Sequence, residues 1–422
     1  MLKGILVSGL AATFLLTGGL APAMAAQTEQ IDYHRYTAFD ISGATFDGSQ
    51  SSSGGLRLAT AGLQSGSYVD PYAAGTIAYQ SGSWTSPWRA VGFGFSELVA
   101  SWNATTPSGT WIQVQMQAKT NQGALTKWYT MGIWASDAST IHRTSVGGQG
   151  DADGYIAIDT FIAKDQPMVA YRLAVSLFRR ADLKASPTVR LLGAVSSNAP
   201  EVNLKPSAPS SLGGAEGIEL EVPRLSQELH AGEYPEFDGG GEAWCSPTST
   251  SMVVEFWKRG PTGSDLGNLP PSTDPAAIAP KQDLQVDFAA TRTYDYHYQG
   301  TGNWPFNTAY AATFGLQAEV MQLHSLTEAE QFIKAGIPLV ASMAFSGNQL
   351  SGFFLKTTAG HLLVISGFTS TGDVVVNDPA EVDDVSVRKV YGREQFERAW
   401  LGATGGIVYV IHPASVPLPS LN

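Results

Sequence analysis

The chain has 422 residues, 43% of them hydrophobic and 15% charged, with 25 basic against 37 acidic side chains and a single cysteine. That length holds two or three domains with cores of their own, and the composition excludes a disordered tail and a polytopic membrane protein. A net charge of −12 opposes nonspecific binding to nucleic acid or anionic lipid, and one cysteine excludes an internal disulfide and every multi-cysteine metal site.

The N-terminus reads as a signal peptide over residues 1–25. Met1-Leu2-Lys3 is a short positive start, Gly4 to Leu20 is apolar and uncharged, and Ala23-Met24-Ala25 is a small-x-small cleavage site. The expected product is a secreted chain, extracellular or cell-wall associated, beginning near Ala26. No later run of 18 apolar residues predicts a membrane span. Export sharpens the question of the cysteine: an unpaired thiol in oxidising surroundings is either buried and inert or kept for its reactivity.

Residues 30–198 read as β-structure. Trp111 to Ala118 alternates apolar and polar with period two, and Ala170 to Leu177 and Thr188 to Leu192 look alike. Gly/Ser/Asn clusters at 43–55 and 147–154 separate the runs, and no helical pattern exceeds two turns. The expectation is an all-β sandwich of jelly-roll type. Six of the ten tryptophans (Trp84, Trp88, Trp102, Trp111, Trp128, Trp134) fall here; they are either sandwich core or, if exposed, a means of contacting cell-wall polysaccharide. Asp151, Asp153 and Asp159 echo a calcium loop but lack its full ligand set, so an acidic turn is expected.

Residues 199–217, rich in Pro, Gly and Ser, read as a linker. Beyond it the pattern becomes mixed, and an α+β domain is expected over 218–413. Ser246-Pro247 opens a helix running to Arg259, stopped by Gly260-Pro261. Thr327 to Glu330 reads as a capping box before a helix ending near Gly336. Strands are expected at 338–344, 361–366, 373–377 and 385–390. A helix over 393–400 then precedes a last strand at 406–411.

Cys245 stands just ahead of the first of these helices. Free amides and the positive end of the helix dipole face it and favour a thiolate nucleophile. Such a nucleophile needs an imidazole to share its proton. His361 lies at a strand entrance, in Gly-His-Leu-Leu-Val-Ile-Ser-Gly, where Gly360 leaves room for close approach. The next strand ends Val-Asn-Asp-Pro; a hairpin turning about Thr369 and Ser370 brings Asp378 beside His361, where a carboxylate fixes the tautomer and stabilises imidazolium. The bland alternatives are an inert thiol, a polar strand end and an Asp-Pro turn. Asn303 and Trp304, in a glycine-rich stretch before a helix expected from Thr308, are candidates for a substrate-cleft wall, as is Phe306 beside them.

Cys-Ser-Pro-Thr-Ser, Gly-His-Leu-Leu-Val-Ile-Ser-Gly and Val-Asn-Asp-Pro-Ala, in that order, resemble the bacteriocin-processing (double-glycine) peptidases and their stand-alone relatives among the papain-like cysteine peptidases. The resemblance covers about residues 218–413. It implies a papain-like fold, with Cys245 as nucleophile, His361 as base and Asp378 as its orienter, and no cofactor or metal. It also implies an upstream glutamine whose amide helps form the oxyanion hole; Gln227, in Val-Pro-Arg-Leu-Ser-Gln, is the residue that fits, although 18 positions separate it from Cys245. Ser246 stands where many relatives have glycine, and serine is well tolerated at a helix start. The reaction implied is hydrolysis of a peptide or protein substrate through an acyl-thioester. The same triad could instead cleave cell-wall amide or isopeptide bonds, or transfer the acyl group to an amine. A non-catalytic protein that binds surfaces or polysaccharide through its β-sandwich is the reading from outside enzymology.

Overall fold

The structure is a computed structural model and describes residues 30–198, 209–270, 282–346, 349–353 and 357–421. The signal-peptide reading of residues 1–25 therefore lies outside the described residues.

Alternation builds the β half. Along Thr110–Thr120, Ile112, Val114, Met116 and Ala118 are fully buried, while Gln113, Gln115 and Lys119 stand on the other face. Among the described residues, this half forms two seven-stranded antiparallel sheets. The first runs Gly154–Ala157, Thr160–Ala163, Glu97–Thr105, Thr188–Ser197, Gly55–Leu58, Ser49–Ser52, with Ile31–Tyr36 also on Thr188–Ser197. The second is centred on Thr110–Thr120, Met168–Arg180 and Thr76–Thr85. Leu98, Ala100, Trp102 and Ala104 of the first sheet share a core with Ile112, Val114, Leu173 and Val175 of the second, the arrangement of a sandwich.

The first sheet is buried on both faces. Val99 and Val195, which point away from the sandwich core, pack into a cluster with Val253, Val320 and Tyr409 of the C-terminal half. The contact is polar as well: the Asn103 amide donates to the Ala318 carbonyl at 2.6 Å and accepts from the Ala318 N–H at 3.1 Å. The Arg143 guanidinium, fully buried, donates to the carbonyls of Ala135 and Thr291 at 3.0 Å each. Phe306 sits against Trp102 and Trp134, at centroid distances of 6.1 and 5.4 Å.

Among the described residues, the C-terminal half is a six-stranded antiparallel sheet with helices around it. Its strand order is Gln317–Gln322, Ile407–His412, Leu339–Phe345, Thr358–Phe368, Val374–Asn377, Arg388–Tyr391. The helices are α1 (Cys245–Phe256), α2 (Gly263–Gly267), α3 (Leu284–Thr293), α4 (Trp304–Ala312), α5 (Leu326–Lys334) and α6 (Arg393–Thr404). Among the described residues no helix is long and apolar enough to cross a membrane.

Three local expectations are corrected, and the tryptophans follow the core reading for four of the six. Helix α4 begins at Trp304 rather than Thr308, because Asn303 caps it through its Oδ1 on the Phe306 N–H at 3.1 Å. Helix α5 is capped by Ser325 and not by Thr327, its hydroxyl accepting from the Glu328 N–H. The described end of the linker is not free: Glu330 takes the N–H groups of Gly213 and Ala215 at 2.7 and 2.9 Å, and Ala215 is fully buried. Of the six tryptophans, Trp84, Trp102, Trp111 and Trp134 are core; the half-buried Trp88 and Trp128 are both covered by the Arg172 guanidinium, at 4.8 and 5.0 Å.

Candidate active site

Cys245 is the first residue of α1. Trp244 precedes it at φ −96° and ψ 30° and offers no side-chain cap, so the first-turn amides are left to other partners. From Ser246 to Val254 the helix is buried on every side rather than along one apolar stripe. Most of its unusual run of hydroxyl side chains, Thr248 excepted, has internal partners. Ser246 Oγ meets the Tyr409 hydroxyl at 2.9 Å, and Ser249 Oγ donates to the Leu362 carbonyl at 3.1 Å. The second bond ties the cysteine helix to the strand residue next to His361.

His361, on Thr358–Phe368, is 4% exposed, and its Nε2 lies 2.8 Å from Asp378 Oδ1. The Cys245 thiol acts electrostatically on this ring, and with Nε2 committed to Asp378 it is Nδ1 that is left for the sulfur. Phe353 packs edge-on against the imidazole, centroids 5.1 Å apart at 76°. Gly360 is not required for close approach, since a Cβ there would meet nothing within 4 Å.

Asp378 follows the strand Val374–Asn377. Its Oδ1 also accepts the Ala380 N–H at 3.1 Å, and its Oδ2 accepts the Tyr391 hydroxyl at 2.9 Å. Burial would raise the pKa of this carboxyl, but the His361 charge and these hydrogen bonds outweigh it and hold the group below its ordinary value. For His361 the balance runs the other way. Burial pulls the imidazole down, yet Asp378 and then Cys245 lift it to about 10, so the ring is charged at neutral pH.

Gln227 begins a short 3-10 turn, Gln227–His230, and is buried. Its backbone N–H donates to the Pro379 carbonyl at 2.9 Å, beside Asp378. Its side-chain amide donates to the Glu242 carbonyl at 2.7 Å and to Glu228 Oε1 at 3.2 Å. The 18-residue separation thus closes because the turn Gly241–Ala243 lies directly on Gln227–His230. That approach needs glycine: a Cβ on Gly241 would fall 2.4 Å from the Gln227 carbonyl oxygen.

Cys245, His361, Gln227 and Trp304 line a cavity of about 1050 Å³, and the β half supplies part of its wall through Glu97, Ile158 and Asp159. Asn303 does not line it. The residue is fully buried, with its amide donating to Asp295 at 2.9 Å, because capping α4 turns it inward. Phe306 is likewise core. Asp159 is no calcium ligand: it accepts the Trp304 N–H at 2.7 Å and the Thr160 hydroxyl at 3.0 Å, and burial pushes its pKa up to about 7. Asp151 is a turn former, taking the N–H groups of Asp153 and Gly154 at 3.0 and 3.2 Å.

Among the described residues, one group of side chains has metal-ligand character: His230, Glu233 and Asp287, all buried. His230 Nδ1 lies 2.9 Å from Glu233 and 3.4 Å from Asp287. Burial depresses this imidazole too, but the two carboxylates outweigh it and raise its pKa. The cluster pins the Gln227–His230 turn to α3 and stands apart from the cavity. Tyr391, Phe353, Glu97 and the cleft position of Asp159 had no signal in the sequence, since each reaches the site only through tertiary contacts.

Two family models match the chain. The model described as Peptidase C39 N-terminal domain matches residues 29–197, and that of the Peptidase_C39 like family matches residues 219–408. No curated protein matches the chain. Among solved structures, infectious bursal disease virus Gt strain aligns at 14% identity over 44% of this chain and 37% of that one, with a TM-score of 0.20. The enzymatically active domain of bacteriophage CBA120 tailspike protein 4 aligns at 11% identity over 37% and 20% of the two chains, with a TM-score of 0.18. The chain thus spans about a third or less of the length of these structures.

Proposed function

Residues 219–408 belong to the peptidase C39-like family, with the peptidase C39 N-terminal domain ahead of them, and from that premise we propose a papain-like cysteine peptidase that works through Cys245, His361 and Asp378. The family supports a peptidase of cysteine type acting on a peptide or protein. The observation that carries the residue assignment is the His361–Asp378 hydrogen bond, with Cys245 acting on the same ring and lining the same cavity as His361.

In this reading the resting pair is thiolate and imidazolium, the charge on the ring being sustained by Asp378. The sulfur attacks the scissile carbonyl carbon and an oxyanion forms. The imidazolium then gives its Nδ1 proton to the leaving amine as the C–N bond breaks, leaving an acyl-thioester. Water, deprotonated by the now neutral ring, attacks the thioester carbonyl; the acid product leaves and the thiolate–imidazolium pair is restored. The Cys245 N–H and the Gln227 amide are the proposed oxyanion donors, each worth on the order of 3 kcal/mol. The Gln227 N–H facing Glu228, the longer of its two contacts, is the one that an oxyanion would take over.

Export is part of the proposal and rests on the sequence of residues 1–25. Replacing Cys245 with alanine is expected to abolish peptide hydrolysis and iodoacetamide labelling while leaving the circular dichroism spectrum unchanged. Hydrolysis that survives Cys245→Ala would remove the assignment.

A further inference from the structure

Five carboxylates line the cavity and, among the described lining residues, neither lysine nor arginine does. Glu97 and Asp159 come from the β half; Glu228, Asp238 and Glu242 come from the C-terminal half. They share this lining with Cys245 and His361. The field of His361 reaches Glu228, and the Tyr298 hydroxyl feels Asp238, Cys245 and Asp159 together. His361 is the only cation-forming side chain of the described lining, and Asp378 already balances it.

One further observation points to what fills this space. Tyr298, 43% exposed, and the half-buried Trp304 put aromatic surface in the same wall, and aromatic faces attract ammonium and guanidinium groups.

We propose that the cleft takes a peptide segment with a cationic side chain, lysine or arginine, close to the scissile bond, and that the β half helps select it through Glu97 and Asp159. The proposal rests on the peptidase reading for the words "scissile bond" but not for the binding itself. The state of the acids agrees with it. Burial raises Asp159 to about 7 and Asp238 to about 6, and also raises Glu97 and Glu228, and a nearby cation favours the charged form of each.

The test uses the full chain carrying Cys245→Ala, so that binding is read without turnover. Three fluorescent peptides of one sequence, differing at one position as lysine, norleucine or glutamate, are titrated by anisotropy. The lysine peptide is expected to bind at least about tenfold more tightly than the norleucine peptide at low ionic strength, with the advantage shrinking as salt is added. Glu97→Gln, on a partly exposed side chain, and Glu242→Gln, on an exposed one, are each expected to reduce the advantage severalfold without altering the fold. Affinities within twofold for lysine and norleucine, or no binding of the lysine peptide, overturn the proposal. Hydrolysis by the unmodified protein is scored separately. Cleavage without charge preference leaves the peptidase and removes the cation, whereas charge-selective binding without cleavage does the reverse.

Discussion

Two buried histidines of the C-terminal half pair with carboxylates, and their surroundings give them different work. His361 has one nitrogen on Asp378 and its other side toward the Cys245 thiol at the edge of a cavity. Asp378 is in turn satisfied by Ala380 and Tyr391, so its charge is stabilised. His230 directs one nitrogen at both Glu233 and Asp287, and its Nε2 has no partner. Neither oxygen of Asp287 receives a hydrogen bond of normal geometry. A histidine–carboxylate pair is therefore not by itself a catalytic signature. What separates the two is where the second ring nitrogen lies: toward the cysteine and open space in one case, among packed side chains in the other.

The strongest way to break this contrast is to neutralise Asp378. Asp378→Asn removes the charge that outweighs burial at His361, so the imidazolium is lost at lower pH. The expected result is a loss of about 10²- to 10⁴-fold in kcat/KM at pH 7, and an alkaline limb displaced downward from the region of pH 10. The stability of the unmodified protein follows the same sign. A pKa raised from 6.5 to about 10 contributes stability that is complete below about pH 6.5 and lost as pH rises through about 10. The melting temperature should decline across that window, and less steeply in Asp378→Asn. An unmoved alkaline limb would take His361 out of the reaction.

His230→Ala tests the other member. It leaves Glu233 and Asp287 buried together without their cation, a loss of about 3–5 kcal/mol that lowers the melting temperature by about 10 °C. Iodoacetamide should still label Cys245 below that temperature. Abolished labelling in a folded His230→Ala protein would make the two histidines alike and collapse the distinction.

The smallest effect is expected from Tyr391→Phe, which deletes one donor to Asp378 while keeping the ring packed against Phe396. One hydrogen bond to a charged group corresponds to about a tenfold loss. A pH profile moved in the same direction as that of Asp378→Asn, but by less, would identify Tyr391 as a positioning residue. Loss of thermal stability without a change in the profile would make it structural only.

Much of the chain could be read from neighbours in sequence. Period-two alternation over 111–118 and 170–177 marked the strands that run 110–120 and 168–180, and Ser246-Pro247 marked the start of a helix with Cys245 at its head. The order Cys245, His361, Asp378 carried the family, because those residue types stand in local contexts suited to nucleophile, base and orienter. These signals survive because alternation, capping and turn chemistry depend on residues a few positions apart.

Tertiary structure alone decided the rest. Asn303 is an inward-facing helix cap rather than a cleft residue, since the partner of its amide, Asp295, lies in a preceding turn. Asp159 reaches the cavity through a bond to Trp304 across 145 positions, and Asn103 meets Ala318 across 215. Those bonds exist because a sheet buried on both faces must find a second apolar and polar surface, and no periodicity along one strand names which surface that is. The sequence placed a cysteine at a helix start; packing of the two halves built the acidic, aromatic cleft in front of it.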